Sequence, residues 1–437
     1  MRLVHCLSFI SLFSVAACTD ATGSTVIDGG QEAGPTCTSG VSDEILHLAT
    51  ATSSREAVAT GEGTAGVAFS DATGALNIGL VAPDGTTSAH VLSNPIPRSH
   101  YKDYSVGLAY AQGRFALTFD FERTTSANVT SPDGWASVGF TSIDATTGTP
   151  SAIEMANNDI DRTGSDGGDP VQAWGGVAIP TKSGFFVEWS DMRTAEPIQY
   201  GVNLAGWTGM YGFGFALDGD LGMNEDVQVM QQDAPFGYAG VSTSKGILAA
   251  WGGRDANATE AWLYTRLGPA SGQFTPGPTS SPIVKVPGAI GRALTAARGA
   301  DGNVLLAFEV GSLTGVGSIV TVVVDSSGNL VSKHTLAQSA NRSYGMSAIA
   351  ATSAGYAVAY ASQSTSSTKA SFDTIHLASL DATGAPTGAT EDTPIDGAPL
   401  QGNLAVAADD TGRVVVYFVS GTTPSLSLRS LTACPSP

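Results

Sequence analysis

One short phrase returns seven times along this chain. An aliphatic or small residue, any residue, then an aromatic recurs in GVAFSD, FALTFD, FFVEWS, ILAAWG, VLLAFE, YAVAYA and VVVYFV. The aromatics are Phe69, Phe119, Trp189, Trp251, Phe308, Tyr360 and Phe418. Their spacing of roughly 50–70 residues is the length of one repeated supersecondary unit. Each phrase follows another short apolar stretch across a tight turn, as in SAIAAT-SAG-YAVAYA and NLAVAA-DDTG-RVVVYF. A third stretch comes next (ALNIGLV, SIVTVVV, DTIHLASL), then a turn such as APDG, DSSG or DATG, then a fourth and weaker stretch. Glycine in those turns supplies the positive φ that tight hairpins demand.

No stretch sustains a 3.6-residue period. With 53 glycines and only 14% charged residues, the composition favours strands joined by turns. Four antiparallel strands per unit, repeated seven times, predict an all-β fold: a single β-propeller of seven four-stranded blades over residues 37–437. A pair of β-sandwiches is the competing arrangement. The last unit supplies three strands, NLAVAA, RVVVYF and SLSLRSLTA, and then the chain stops. The segment DEILHLATA, residues 43–51, is needed by no early unit and is the candidate fourth strand. On that reading the ring is closed by N- and C-terminal strands sharing one blade, which removes an unpaired edge.

The first residues place the chain. Arg2 precedes an apolar run from Leu3 to Ala17, too short to span a bilayer and of the length of a secretory leader. The run ends in VAAC, which resembles the lipobox of bacterial lipoproteins; the alternative is an ordinary signal peptide. The resemblance implies removal of residues 1–17 and a lipid on Cys18. Thr19 after it, in place of Asp, implies the outer membrane or cell surface, with the lipid as the only membrane contact. Residues 18–36, small, polar and Gly-rich, read as a flexible tether. Of four cysteines, Cys6 then leaves with the leader and Cys18 carries lipid, so Cys37 and Cys434 remain in an oxidising compartment. They flank the two strands of the proposed closure, and a disulfide between them would clasp the ring.

Twenty Lys and Arg against 39 Asp and Glu give a formal net charge of −19. Such a surface repels phosphate, which excludes nucleic acid as a partner. Cations and neutral sugars are easier partners, and the expected state is a monomer.

In a four-stranded blade, the turns between strands one and two and between three and four share one face. The two-to-three loops and the crossings between blades share the other. The first set is short here (AQG, TKSG, SKG, SAG, DSSG, DATG). The second set is read as holding DFERTTSANVTSPDG, SDMRTAEP, GGRDANA, NNDIDRTGSDGGDPVQ and LDGDLGMNEDVQVMQQDAPF. Long loops on one side of a rigid scaffold are where binding and catalysis usually sit. Asp159, Asp161, Asp166 and Asp169 around a glycine turn can offer hard oxygens to Ca²⁺, and Asp218 and Asp220 form a weaker candidate of the same kind. Trp135 and Trp207 adjoin Gly-rich turns and are candidates for stacking on a sugar ring, whereas Trp189 and Trp251 hold the repeated packing position and are expected in the core.

Polar residues also recur just after the phrase aromatic: Glu122 and Arg123, Asp191 and Arg193, Arg254 and Asp255. The stretch VEWSDMR resembles the W-x-D-x-R repeats of secreted bacterial propellers, myxobacterial surface proteins among them. That resemblance implies Arg–Asp ties within or between blades. Only blades two to four keep a trace of it; later blades read EVGS, ASQS and VSGT.

Catalytic motifs are scarce. There is no G-x-S-x-G elbow and no H-E-x-x-H, and no two histidines stand in metal-ligand spacing. His47 and His376, in ILHLATA and TIHLASL, read as equivalent positions of the repeat. The expected function is a surface-anchored module that binds carbohydrate or protein through the loops of blades two to four. One alternative is a polysaccharide hydrolase or lyase working with carboxylates of that face, such as Asp120, Glu122, Glu188 and Asp191; the other is a non-catalytic envelope scaffold.

Overall fold

A computed structural model describes residues 39–49, 56–71, 75–92, 106–123, 135–155, 173–191, 209–220, 227–231, 237–254, 260–272, 274, 281–311, 317–364, 372–395, 399–422 and 424–434. All of them belong to one compact unit, Thr38–Pro437.

The unit is a seven-bladed β-propeller of antiparallel sheets. Blade one comprises β3 (Ala57–Gly61), β4 (Thr64–Ser70), β5 (Leu76–Val81) and β6 (Thr87–Val91). Blade two comprises β7 (Val106–Ala111), β8 (Arg114–Arg123), β9 (Trp135–Asp144) and β10 (Glu154–Met155). Blade three comprises β11 (Ala173–Pro180), β12 (Gly184–Asp191), β13 (Gly209–Ala216) and β14 (Val227–Gln231). Blade four comprises β15 (Tyr238–Ser242), β16 (Ile247–Arg254), β17 (Glu260–Gly268) and β18 (Val284–Pro287). Blade five comprises β19 (Ala289–Arg298), β20 (Val304–Gly311), β21 (Gly317–Val324) and β22 (Leu330–Ser339). Blade six comprises β23 (Arg342–Thr352), β24 (Gly355–Ser364), β25 (Thr374–Asp381) and β26 (Glu391–Pro394). Blade seven is β27 (Leu400–Ala408), β28 (Val414–Thr422) and β29 (Ser425–Ala433), completed from the N-terminal side by β1 (Gly40–Val41) and β2 (Leu46–Ala49). The first strands of successive blades touch in a closed ring, β27 against β3 included.

The repeated aromatic explains why the blades stack. There is one hydrophobic cluster for each of the seven seams between blades. Each cluster contains one phrase aromatic, and in every case it faces the preceding blade: Phe69 blade seven, Phe119 blade one, Trp189 blade two, Trp251 blade three, Phe308 blade four, Tyr360 blade five, Phe418 blade six. All seven are buried, Phe69 being the most exposed at 5%. A sheet alternates its side chains between faces, so one wedge at a fixed register gives each blade the same fit to its neighbour. Burial of one such ring contributes about 1.5–3 kcal/mol.

The closure follows the sequence reading, with one difference. The outer strand comes in two pieces: β1 pairs at Gly40↔Thr432 and β2 at Leu46↔Leu428. Ser42 bridges the break, because its Oγ accepts the Ser430 N–H at 2.9 Å and its own N–H donates to the Ser430 carbonyl at 2.8 Å. Cys434 is disulfide-bonded, and its N–H donates to Ser39 Oγ at 3.0 Å. Cys37 itself lies outside the described residues, as do Cys18 and the leader. The seam where the ring closes has a further tie. The Asn403 side chain on β27 donates to the Val58 carbonyl at 3.1 Å and accepts the Val58 N–H at 2.7 Å. Gly402 makes that approach feasible: a Cβ there would stand 2.2 Å from the Glu56 carbonyl oxygen.

Candidate functional site

Strand polarity sorts the connections into two ends. Second strands such as β8, β12, β16, β20 and β24 run toward the end where the two-to-three loops and blade crossings begin, here called the loop end. The opposite, turn end is built largely from Asp-capped turns. Asp325, Asp381 and Asp409 each accept backbone N–H groups two and four residues ahead, at 2.7–3.1 Å. Gly384, at φ +77°, closes one of these turns through its N–H on the Asp381 carbonyl. Side-chain bonds from Asn329, Thr383 and Thr411 to the same carboxyls, with these backbone bonds after them, favour the carboxylate and hold all three Asp below the usual range. The turn end is therefore occupied with its own structure.

Residues 124–134, 156–172 and 192–208 join strands that finish and start at the loop end, as the sequence predicts. One predicted stretch is divided, however. Residues 217–226 join the third strand β13 to the fourth strand β14, which puts Asp218 and Asp220 at the turn end, away from the other candidates. There Asp218 Oδ1 accepts the Asp220 N–H at 3.3 Å in an exposed turn. The reason is that Val227–Gln231 forms a strand within 217–236 and divides that stretch into two connections at opposite ends. Among the described residues no three His, Cys, Asp or Glu side chains gather closely enough to hold a metal ion.

The structure brings the polar positions after the aromatic to one end of the propeller. Arg123, Asp191 and Arg254 lie toward the loop end of β8, β12 and β16 but follow their phrase aromatics by four, two and three residues, so they share an end and not a register; Trp135 is the rung partner of Arg123. Glu122 precedes Arg123 on the same strand. The side chains of these five lie outside the described part, as do Trp207, Arg193, Asp255, Asp159, Asp161, Asp166 and Asp169 altogether. Trp189 and Trp251 are core residues, 0% and 1% exposed.

Three carboxyls near the loop end are held in unusual surroundings. Glu188, one residue before Trp189, is fully buried, and neither of its oxygens has a hydrogen-bond partner. It shares a sheet face with Phe186, which packs against blade four. Burial alone pushes its carboxyl well above the usual range. Glu56, just before β3, is 4% exposed with Oε2 unpartnered, and burial raises it to about 7. Glu309 on β20 faces blade six and is likewise raised to about 7 by burial.

Blade six carries a polar relay that the sequence did not disclose. His376 on β25 stands opposite Tyr360 on β24 and Asp392 on β26. Ser362 Oγ lies 2.6 Å from His376 Nε2, and His376 Nδ1 lies 2.6 Å from Asp392 Oδ1. Arg342, the first residue of the innermost strand, donates from Nε to Ser362 Oγ at 2.8 Å and from Nη2 to Thr374 Oγ1 at 2.9 Å. Tyr360 stacks on the imidazole at 4.8 Å and 14°. Burial lowers the His376 pKa more strongly than Asp392 raises it, so the ring is neutral. The chain of donors is then fully directed: Arg342 Nε–H to Ser362, Ser362 O–H to His376 Nε2, His376 Nδ1–H to Asp392.

His47 is not the counterpart of His376. It sits on the outermost strand, with half of its side chain exposed, near Glu44. His376 lies on a third strand, buried. Two similar heptads are therefore placed at different blade positions, and only the register reveals it.

No family model and no curated protein matches this sequence. Among solved structures, the chain is similar to an ulvan lyase of a polysaccharide lyase family, solved bound to -[GlcA(1-4)Rha3S]-. The TM-score is 0.50 at 11% identity, covering 89% of this chain and 93% of that one. It is also similar to a Hadza microbial sialidase (TM-score 0.49, 11% identity, 83% and 73% covered) and to a puromycin hydrolase (0.49, 15%, 84% and 50%). The chain spans half the length of that hydrolase. At 11% identity the likeness to the lyase is one of fold alone.

Proposed function

We propose that this protein is an exported, lipid-anchored propeller that binds carbohydrate through its loop end. The carrying observation is the asymmetry of the two ends. Strand polarity gathers the longest connections of blades two and three, residues 124–134, 156–172 and 192–208, at one end, while Asp-capped turns occupy much of the other. Arg123, Asp191 and Arg254 lie toward the loop end of the second strands of blades two, three and four. Polar side chains on a rigid rim, with tryptophans nearby in sequence, suit a sugar's hydroxyls and ring faces. The same scaffold holds a polysaccharide in the ulvan lyase. The VAAC leader and the −19 charge fit an envelope protein whose ligand is not a polyphosphate.

The test is retention of the purified protein on a panel of insoluble polysaccharides, with and without a calcium chelator, while newly released sugar ends are assayed. The expected result is retention without release, weakened by Trp135→Ala or Trp207→Ala. Release of ends would replace binding with catalysis. Chelator-sensitive retention would assign Ca²⁺ to the loop of Asp159, Asp161, Asp166 and Asp169.

A further inference from the structure

We propose that Arg342 is a preorganised receptor for an anionic sugar substituent, a carboxylate or sulfate, at the loop end of the seam between blades five and six. This rests on the carbohydrate reading above and names a ligand class that the sequence does not suggest.

The guanidinium has two usable edges. Its Nε/Nη2 edge is turned inward onto Ser362 and Thr374. Both partners are hydroxyls, so they fix the group without neutralising it. Each hydroxyl is itself oriented by a second acceptor: Ser362 by His376 and thence Asp392, Thr374 by Asp373 Oδ1 at 2.9 Å. Ser362 is fully buried, and the His376 ring is packed between Tyr360 and Tyr344, so this support is rigid. A side chain whose rotamer is fixed in advance loses little further entropy when a ligand arrives.

The other edge, Nη1 with the second proton of Nη2, makes no hydrogen bond to a described residue. Asp373 stands 3.5 Å from Nη2, beyond a good hydrogen bond, with the two side chains 35% and 51% exposed. Such an exposed, widely spaced pair is weak and leaves the charge available. Glu309 faces the same seam from blade five but makes no ion pair with Arg342 among the described contacts. The free edge matches the two oxygens of a carboxylate or sulfate, which a guanidinium binds bidentately. Of the described arginines, Arg266 and Arg429 instead spend their bonds on the Val229 and Ser42 carbonyls.

The experiment titrates protein carrying ¹⁵N-labelled arginine with sodium D-glucuronate, sodium sulfate and D-glucose, following the side-chain Nε–H signals. Arg342 Nε–H is expected to exchange slowly with water, because Ser362 seals it. Glucuronate or sulfate should shift the Arg342 signals saturably, and glucose should not. If glucuronate acts and sulfate does not, the ligand group is a uronate; the reverse assigns a sulfate ester. Arg342→Lys keeps the charge but lacks the planar edge, and should weaken binding by about tenfold or more. Ser362→Ala should weaken it less, with the fold intact by circular dichroism, and broaden the Arg342 signals as the support loosens. Arg342 signals unmoved by either anion, or equal affinity in Arg342→Lys, would overturn the proposal. Retention on neutral polysaccharides that ignores Arg342→Lys would leave the carbohydrate reading standing and sink this one alone.

Discussion

Glu188→Gln should stabilise the protein, and by an amount that depends on pH. In the fold the carboxyl is fully buried without a hydrogen bond, so desolvation holds the proton on well above the ordinary value of 4.5. In the unfolded chain it ionises freely. A group whose folded pKa is raised contributes its stability below the unfolded value and loses it as pH rises toward the folded one. Each pH unit between the unfolded and the folded value is worth about 1.4 kcal/mol, so the wild type loses stability from this residue steadily as pH rises above 4.5. Glutamine nearly matches the neutral carboxyl in shape and cannot ionise. Urea unfolding at intervals from pH 4 to 8 should therefore show the two proteins close at pH 4. As pH rises the variant should become the more stable of the two, by about 1.4 kcal/mol for each pH unit until the folded carboxyl ionises. A protonated-carboxyl infrared band that persists above pH 4.5 and loses intensity in the variant is the companion observation. A stability difference that does not change with pH would refute the argument, because it would mean Glu188 is ionised and compensated.

Other outcomes follow from the same contacts. Trp251→Ala empties a seam and should cost about 3–5 kcal/mol in unfolding experiments, whereas exposed Asp84→Ala at the turn end should change stability far less. Proton NMR should place the His376 pKa below 6.5 in the wild type. Asp392→Asn should lower it further, since Asp392 is the partner favouring the charged ring. Because the folded value is depressed, the stability tied to neutral His376 is present above 6.5 and lost as pH falls through the folded value. Mass spectrometry of peptides should pair Cys434 with Cys37; Cys434→Ser would then lower stability by about 4–5 kcal/mol in the chain-entropy account, for a loop of this length.

The propeller was legible in the sequence because a packing position that must be aromatic in every seam writes itself as a period. The closing strand was legible for a related reason: blade seven lacks a partner for SLSLRSLTA, and only one spare strand exists. The blade-six relay was not legible. Arg342, Ser362, His376 and Asp392 come from four strands and meet only through register, Tyr360↔His376↔Asp392 and Tyr344↔Ser362. No short motif records such a meeting, and the likeness of TIHLASL to ILHLATA pointed the wrong way. The misplaced Asp218 and Asp220 have the same origin, since a weak strand, VQVMQ, decides at which end its neighbours lie.

The most direct test of the account is oxidative footprinting of the protein held on whichever polysaccharide of the panel retains it. Protection should be confined to the loop end, at peptides spanning 120–135, 156–172 and 190–208, with the Asp-capped turns at 325–329 and 381–385 labelled as in the free protein. Protection of those turns, with the loop end unchanged, would contradict it.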